Sequence, residues 1–300
     1  EETELTISDA QLRNITLNVP VQSVAGVNVG SIEIMRAIGV DINEVVDIAS
    51  SYAIANKLYF PELQGKESNT YGSPNYEQIA NIKPDLAILY ESPKKDESFD
   101  KFDAIGVPVI CLDCFDHRSL ESDIRILGEL FHEKEKADAL VDWYRKKIDM
   151  VTERTHGLDA SEMPRVLILG YPDYTYPVLK VRTGGSGDHP MLVNAGGINL
   201  AENVESPKGT VEVDPEWIMS QNPDVIIGMM LSSEGMTGYS SNETTINLME
   251  QFRDKLLNDS AIKATKAGKD GKVFLMWGDF NSGPFHQVGR EFLQNFFILN

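Results

Sequence analysis

The chain has few of the residues from which catalytic and metal centres are commonly built. Its 300 residues include two cysteines and five histidines. Both cysteines fall in the motif Cys111-Leu-Asp-Cys114, and without a second pair a four-cysteine zinc site is excluded. Three interpretations of this motif stay open: a structural pair or local disulfide, a soft contact lining a ligand site, or a redox pair. Neither a Gly-x-Ser-x-Gly nor a His-Glu-x-x-His motif occurs, so we do not expect an enzyme.

Positive charge and long apolar runs are also scarce. The sequence has 27 lysines and arginines against 46 aspartates and glutamates, which gives a formal net charge of −19 at pH 7. Such a surface repels nucleic acid and anionic membranes, and we expect neither as a partner. No run approaches the ~18 apolar residues of a membrane span. The acidic opening Glu1-Glu2-Thr3-Glu4 does not resemble a signal peptide, which fits either a cytosolic protein or a mature exported one.

What the chain does contain is a repeated segment. Residues 77–89 and 216–228 each open with Glu, run through a short amphipathic helix to Pro-Asp, and continue as an apolar strand. The offset of 216 − 77 = 139 residues is close to half the chain. A supersecondary unit that recurs at this distance predicts two similar lobes, and two lobes predict a cleft for a ligand.

Apolar strands alternate with helices on both sides of a long helical stripe. This pattern predicts an α/β fold of two lobes, each a parallel sheet flanked by helices. Between the lobes, apolar residues recur at helical spacing from Ala137 to Val151. We interpret this segment as one long helix that joins the lobes; the alternative is an ordinary surface helix of a single domain. The predicted boundaries are 1–132 for the N-terminal lobe, 133–157 for the connecting helix and 158–300 for the C-terminal lobe.

Aromatic side chains recur where the predicted strands end. Ligands of open parallel sheets bind beyond the carboxyl ends of the strands, and Tyr and Trp offer apolar faces with one polar group. Tyr, His and Met can also ligate a transition metal, although each residue alone has the alternative role of packing the lobe rim. Asn28, Ser51, Cys114, Phe115 and Met230 lie at the same strand ends. The predicted ligand contacts are Tyr52, Tyr71, Tyr90, Tyr171, Tyr174, Arg182, His189, Met229 and Trp277.

The segment Gly184-Gly-Ser-Gly-Asp-His189 has two interpretations. Consecutive glycines before a helix can form a nest of backbone N–H groups that binds an oxyanion or a carboxylate. The alternative is a plain loop, since no lysine or P-loop spacing accompanies the glycines.

A family resemblance is carried by four motifs in this order along the chain: segment 6–17, Asn75-Tyr-Glu-Gln-Ile with Lys-Pro-Asp-Leu, Ala195-Gly-Gly-Ile-Asn-Leu-Ala201, and Pro215-Glu-Trp-Ile with Asn-Pro-Asp-Val. Over nearly its full length the chain resembles the helical-backbone class of ABC-transporter substrate-binding proteins, which carry ferric siderophores, haem, cobalamin or molybdate. Family members often have Pro-Ser after the first strand, where this chain has Val29-Gly30.

The resemblance implies a periplasmic or extracellular protein, free or lipid-anchored, that delivers its cargo to the transmembrane subunits of an ABC permease. In the family one acidic residue of each lobe docks onto permease arginines, and Glu77 and Glu216 match those positions. The implied function is capture of a metal complex in the inter-lobe cleft without a resident cofactor. A ferric siderophore is the first expectation, with haem or cobalamin next. The alternatives are an oxyanion such as molybdate or tungstate on the same fold, and a chelatase- or nitrogenase-like enzyme.

Charge and connectivity refine this expectation. The predicted contacts include one arginine and few other cations, which favours a neutral or weakly charged complex, because burying charge without a partner is costly. A single connecting helix, in place of flexible crossing strands, predicts a small closure on binding.

Overall fold

The chain folds into two compact units, Glu1–Arg145 and Lys146–Asn300, which we call the first and the second unit. The boundary between them falls inside one long helix, Lys134–Thr155. The division into two lobes and a separate connecting helix stays a prediction. The computed structural model describes residues 2–57, 59–69, 74–90, 95–115, 118–170, 179–230, 243–278 and 286–298.

The first unit opens with an antiparallel hairpin formed by β1 (Thr3–Ser8) and β2 (Asn14–Val19). Ile7, Leu17 and Val19 are buried while the residues beside them are more exposed. This alternation has the period of a strand that is covered on one face. The hairpin predicted from the opening segment is therefore present.

A five-stranded parallel sheet forms the body of the first unit. Its remaining strands are β3 (Val24–Gly26), β4 (Val46–Ser50), β5 (Glu67–Asn69), β6 (Leu86–Leu89) and β7 (Val109–Cys111). Its helices are α1 (Val29–Ala37), α2 (Ile42–Val45), α3 (Ser51–Ala55), α4 (Tyr76–Ile82), α5 (Lys95–Ile105), α6 (Leu120–Leu130) and the first part of α7 (Lys134–Thr155), with a 3₁₀ turn at Pro61–Leu63. The strands lie in the order β5-β4-β3-β6-β7, and all neighbours are parallel. The predicted parallel sheet is confirmed for this unit.

The turn of the hairpin covers the outer edge of β7. The carboxylate of Asp9 accepts a hydrogen bond from the backbone N–H of Cys111 at 3.1 Å, and Arg13 Nη2 donates to the carbonyl of Val109 at 3.0 Å. The N–H of Ala10 donates to the carbonyl of Cys111 at 2.9 Å. Asp9 and Arg13 are themselves paired, at 2.6 Å. An edge strand with unpaired backbone groups invites pairing with another chain, so this turn protects the sheet.

The second unit contains a mixed sheet. Its strands are β8 (Arg165–Leu169), β9 (Leu179–Arg182), β10 (Ile198–Asn199), β11 (Thr210–Val213), β12 (Val225–Met230) and β13 (Val273–Trp277). Its helices are α8 (Asp188–Asn194), α9 (Pro215–Gln221), α10 (Glu243–Asn258), α11 (Ser260–Ala264), α12 (Lys266–Lys269) and α13 (His286–Ile298). The order is β11-β9-β8-β12-β13, with β10 also on β8. Every residue of the central strand β12 is buried.

Two strands of this sheet depart from the parallel arrangement expected from the sequence. The pairs β8–β12, β12–β13 and β8–β10 are parallel, whereas β9 is antiparallel to β8 and β11 is antiparallel to β9. The physical reason is the length of the connection. Only residues 170–178 join β8 to β9, and a parallel crossover needs a dozen or more residues.

Both repeated segments end their helix in the same way. Helix α4 is followed by Lys83 with a φ of 53°, and α9 by Asn222 with a φ of 42°. A left-handed residue closes the last turn of a helix, and the proline that follows cannot continue it. Each helix therefore ends before its proline, Pro84 or Pro223, and the chain continues into the next buried strand, as predicted.

The aspartate of each Pro-Asp pair binds the backbone at the start of the neighbouring parallel strand, β3 in the first unit and β8 in the second. Asp85 Oδ2 accepts hydrogen bonds from the N–H groups of Gln22 and Ser23, at 3.0 and 3.1 Å, just before β3. Asp224 Oδ2 accepts from the N–H of Arg165 at 2.9 Å, at the start of β8. The repeat is thus a scaffold device that joins neighbouring parallel strands at their amino ends.

Candidate functional site

The carboxyl ends of the first unit's parallel strands gather at one edge of the sheet. Within four residues of a strand end, Asn28 follows β3, Tyr52 follows β4, Tyr90 follows β6 and Phe115 follows β7. Ligands of α/β sheets bind at this edge. The prediction that these residues come to one end of the sheet is borne out by the strand directions.

Tyr90 is held in place by two contacts at this edge. Its hydroxyl oxygen accepts a hydrogen bond from the N–H of Val29, at the start of α1, at 2.9 Å. Its ring stacks on that of Phe115 with centroids 5.5 Å apart and planes 27° from parallel. Both rings are partly exposed. The edge therefore presents a paired aromatic surface of the kind that packs against a bulky, partly apolar ligand.

Asn28 joins two of the strand ends, a role that the sequence did not reveal. Its Oδ1 caps α1 by accepting from the N–H groups of Gly30 and Ser31, at 2.9 and 3.3 Å. Its Nδ2 donates to the carbonyls of Leu112 and Asp113, at 2.7 and 3.3 Å. All four hydrogen-bonding positions of the fully buried amide are thereby used, and the loops after β3 and β7 are tied together.

Gly30 marks the closest approach of these two loops. A Cβ atom at this position would lie 2.8 Å from Cys114 Cβ and 3.2 Å from the Cys114 carbonyl oxygen. The Val29-Gly30 sequence at this loop therefore has a packing reason, since only a residue without a side chain fits.

Cys111 and Cys114 are both buried, and their thiols are not joined in a disulfide. Burial raises the pKa of the Cys114 thiol well above its usual value, and the negative charges of Asp123, Asp113 and Glu33 raise it further. A thiol of this kind is not a nucleophile at neutral pH, because the thiolate is the reactive form. Of the three interpretations of the motif, the structural one fits this geometry.

Tyr52 is the second residue of α3 and is half-buried at the end of β4. Tyr71, Tyr171 and Tyr174 lie outside the residues that the structure describes. The role of Tyr52 as a ligand contact therefore stays a prediction, as does that of the other three tyrosines.

Arg182 faces a carboxylate of its own unit. Its Nε lies 3.0 Å from Asp188 Oδ2, with the two side chains 14% and 1% exposed, and its Nη1 donates to Thr210 Oγ1 at 3.2 Å. Because β9 is antiparallel to β8, its carboxyl end does not point toward the ends of β8, β12 and β13. Arg182 was expected at the carboxyl ends of the parallel strands and does not lie there. Its ion pair with Asp188 gives it a structural role.

His189 belongs to the same cluster. Its Nδ1 lies 3.3 Å from Asn199 Nδ2, and its Nε2 lies 3.8 Å from Glu202 Oε1. Asn199 pairs with Val166 at the amino end of β8, which places this cluster away from the carboxyl edge. Like Arg182, His189 therefore does not lie at the carboxyl ends of the parallel strands, where it was expected.

The glycine loop before α8 uses its N–H groups within the unit. Gly184 donates to the carbonyl of Glu202 at 3.1 Å, Gly185 to Thr183 Oγ1 at 3.4 Å, and Ser186 to the carbonyl of Thr183 at 3.0 Å. Three donors engaged in this way do not form an anion nest, so the plain-loop interpretation fits the structure.

Met229 and Trp277 lie on adjacent parallel strands. Met229 is fully buried in a cluster with Met276 and Leu293, which is an ordinary core position rather than a surface that meets a ligand. Trp277 ends β13 and is 6% exposed, at the carboxyl edge where the prediction placed it. Of these two predicted contacts, the geometry favours Trp277.

The two predicted docking residues occupy matching positions. Glu77 and Glu216 are each the second residue of a short helix, α4 and α9, and both are exposed. A carboxylate in the first turn of a helix is favoured by the helix dipole, so the position alone has a structural explanation.

Among the residues that the structure describes, no group of three or more His, Cys, Asp or Glu side chains is arranged to hold a metal ion. No helix in the described ranges combines the length and the apolar character needed to cross a bilayer.

A family model described as periplasmic binding protein matches residues 24–279. The chain belongs to this family of periplasmic binding proteins. Its relatives include the uncharacterised ABC transporter substrate-binding lipoprotein YvrC of Bacillus subtilis; the two are 24% identical over 229 residues, 74% of this chain and 68% of YvrC. The vitamin B12-binding protein of Yersinia pestis is 23% identical over 153 residues, 51% of each chain. The resemblance seen in the sequence motifs is confirmed.

Solved structures of the family share the fold. The TroA-like periplasmic binding protein FepB of Veillonella parvula aligns with a TM-score of 0.79 at 19% identity, over 98% of this chain and 90% of that one. MolA of Haemophilus influenzae, bound to molybdate, gives 0.74 at 20% identity, over 97% and 90%. A protein of an ABC-type Fe3+-hydroxamate transport system from Saccharomonospora viridis gives 0.66 at 18% identity, over 98% and 99%. The predicted fold class is confirmed by these alignments.

Proposed function

We propose that this periplasmic binding protein captures a small metal complex at the carboxyl edges of its sheets and delivers it to an ABC importer. Family membership over residues 24–279 supports the transport role. The observation that carries the ligand site is the stacked pair of Tyr90 and Phe115, held at the ends of β6 and β7. Binding without chemistry is the function, and the metal complex is cargo rather than a resident cofactor.

The proposed cargo is a ferric siderophore of low charge, with a hydroxamate as the leading chemistry. The Tyr90–Phe115 surface is aromatic and uncharged, which suits a bulky chelate with apolar flanks. Arg182, the one guanidinium among the predicted contacts, is paired with Asp188, and the pair carries no net charge to attract an anion. Haem and cobalamin share these properties with a hydroxamate complex and are the next candidates.

Molybdate is the second candidate function. Similarity to MolA, with a TM-score of 0.74, is the observation in its favour. The engaged N–H groups of Gly184, Gly185 and Ser186 speak against an oxyanion nest at the glycine loop. An oxyanion would need another set of donors.

The proposed partners are the transmembrane subunits of the importer. Glu77 and Glu216 supply one exposed carboxylate in each unit, suited to basic side chains on the transporter. The proposed location is extracytoplasmic, either free or lipid-anchored, in keeping with relatives that are described as periplasmic proteins or as a lipoprotein.

The experiment is a titration of tryptophan fluorescence with four probes: ferric desferrioxamine B, haemin, cyanocobalamin and molybdate. We expect ferric desferrioxamine B to bind with a dissociation constant of about 1 μM or below, and Phe115→Leu to weaken it by about tenfold or more. Phe131→Leu is the matched control, because Phe131 lies at the opposite end of α6. Binding of molybdate alone would select the second candidate, and binding of none of the four would overturn the proposal.

A further inference from the structure

A buried carboxylate binds the turn that precedes Phe115 in the first unit. Asp123, in the first turn of α6, is 2% exposed. Its Oδ2 accepts a hydrogen bond from the backbone N–H of Cys114 at 2.8 Å. The backbone N–H of Asp113 and the side chain of Ser119 also donate to this carboxylate. Three donors therefore converge on one side chain that the ligand site, as described, does not use.

The hydrogen bond from the Cys114 N–H to Asp123 acts on a residue whose backbone has an unfavourable conformation. Cys114 has a φ of 58°, in the left-handed region that residues with a side chain rarely occupy. Such a conformation persists only where its surroundings enforce it. Two buried groups do so here: Asp123 holds the N–H of Cys114, and Asn28 holds the carbonyl of Asp113 just before it.

The next residue along the chain is Phe115, whose ring stacks on Tyr90. The direction in which Phe115 leaves the backbone follows from the dihedral angles of Cys114. A change at Asp123 is therefore transmitted to the aromatic surface without any contact between Asp123 and the ligand.

We propose that Asp123 is the positioning residue of the first unit's ligand edge: it fixes the left-handed turn at Cys114 and thereby sets Phe115 against Tyr90. The assignment of this edge as a ligand site rests on the proposed function. The conformational role of Asp123 does not, and the two are tested separately.

The same geometry makes the turn sensitive to pH. Burial raises the pKa of Asp123 to about 6; the N–H of Cys114 opposes the shift and the charge of Asp113 adds to it. The negative charge of Glu33 in α1 also acts on Cys114 in this turn. Above about pH 6 the carboxylate is ionised and is a strong acceptor for the Cys114 N–H; below it the neutral carboxyl is a weaker one. Acidification therefore loosens the hold on Phe115.

The first experiment needs no ligand. In ¹⁵N-labelled protein, the amide resonances of Cys114 and Phe115 are expected to titrate with a midpoint near pH 6 and to lose this titration in Asp123→Asn. Ser119→Ala removes one donor to the carboxylate and is expected to move the midpoint upward. Glu129→Gln, an exposed carboxylate on the same helix, is the control and should leave both resonances as in the parent protein. Amide shifts of Cys114 and Phe115 that are the same at neutral pH in Asp123→Asn as in the parent protein would overturn the proposal.

The second experiment uses ferric desferrioxamine B as the probe. Asp123→Asn is expected to weaken its binding about fivefold to tenfold at neutral pH and to abolish the loss of affinity on acidification. In a Phe115→Leu background the same substitution should have no further effect, because Asp123 acts through Phe115. Losses that multiply in the double variant would overturn the positioning role. If the probe does not bind at all, the proposed function fails while the amide titration still decides this inference.

Discussion

The two repeated segments share a Pro-Asp scaffold, but the aspartate of each has different binding partners. In the first unit, Asp85 is fixed by the backbone N–H groups of Gln22 and Ser23, and its own N–H donates to Ser23 Oγ at 2.9 Å. In the second unit, Asp224 accepts from one N–H, that of Arg165, and forms an ion pair with Lys266 at 2.8 Å. The part common to both is a carboxylate on the backbone of the neighbouring strand. The charged partner is an addition that only the second unit has among these contacts.

The units also differ in how their strands run. In the first, every strand of the five-stranded sheet is parallel, so the residues after β3, β4, β6 and β7 meet at one edge. In the second, β9 is reversed, and Arg182 and His189 turn back toward the amino end of β8. The expectation that strand ends gather at one edge therefore holds for the aromatic residues after β6 and β7 and fails for the polar cluster of Arg182 and His189.

The largest effect is expected from reversing the matched glutamates. Cells that transport ⁵⁵Fe-labelled desferrioxamine through this protein should lose uptake when Glu77→Lys and Glu216→Lys are combined, because both transporter contacts become repulsive. Binding of ferric desferrioxamine B by the purified variant should change less than about twofold. The single variants show whether the two units contribute equally.

The control for this test reverses two other exposed glutamates, one in each unit. Glu44→Lys with Glu250→Lys makes the same change in net charge away from α4 and α9, and should leave uptake intact. Loss of binding affinity in the Glu77 and Glu216 variant, with uptake following it, would place these residues at the ligand site instead.

Asp123 is expected to make the first unit more stable in mild acid. Its pKa is raised to about 6, foremost by burial, so the folded protein holds this proton more tightly than the unfolded chain. The free energy of unfolding therefore rises as the pH falls from about 6 to about 4, by up to ~3 kcal/mol for a shift of about two pKa units. Urea unfolding across this range should show the slope in the parent protein and not in Asp123→Asn; equal slopes would contradict the assignment.

Adding a methyl group should destabilise the protein at Gly30, after β3, and have almost no effect at Gly187, before α8. Gly30→Ala places a Cβ atom 2.8 Å from Cys114 Cβ and should lower the free energy of unfolding by about 1–3 kcal/mol. Gly187→Ala meets no atom within 4 Å and has a φ of −62°, so its effect should stay within about 0.5 kcal/mol. Thermal or urea unfolding measures both, and equal losses would mean that the loops after β3 and β7 are not in close contact.

The smallest effect is expected at Asp224. Burial acts to raise its pKa, but the hydrogen bonds from Lys266 and the Arg165 N–H lower it overall. Its contribution to stability is present above about pH 4 and is lost as the pH falls through the folded-state pKa. Since the pair with Lys266 is partly exposed, Asp224→Asn should cost ~1 kcal/mol or less at neutral pH, and nothing in strong acid. Urea unfolding of this variant beside Asp85→Asn would show what Lys266 adds; a larger loss at low pH would reverse the assigned sign.

Local patterns in the sequence predicted the elements of this fold well, because helix ends, prolines and apolar runs act over a few residues. The helix from Lys134 to Thr155 and the strands after Pro84 and Pro223 are examples. The direction of β9 was missed, although the short connection after β8 carried the signal.

The roles of Asn28 and Asp123 were not predictable in the same way. Both side chains bind backbone groups, and any residue can supply a backbone N–H or carbonyl, so no pattern in the sequence points to the partner. For Asn28 the partners lie 84 and 85 residues away. Only the folded arrangement of β3 and β7 brings the groups together.

The turn of the opening hairpin limits how the protein can be shortened. The residues that the family model matches begin at 24, after Asp9, Ala10 and Arg13. A chain trimmed to that match would leave the carbonyls of Val109 and Cys111 and the N–H of Cys111 without the groups that cover them. The outer edge of β7 would then expose unpaired backbone groups, through which copies of the trimmed protein are expected to associate. The turn of the opening hairpin thus protects the protein against self-association through β7.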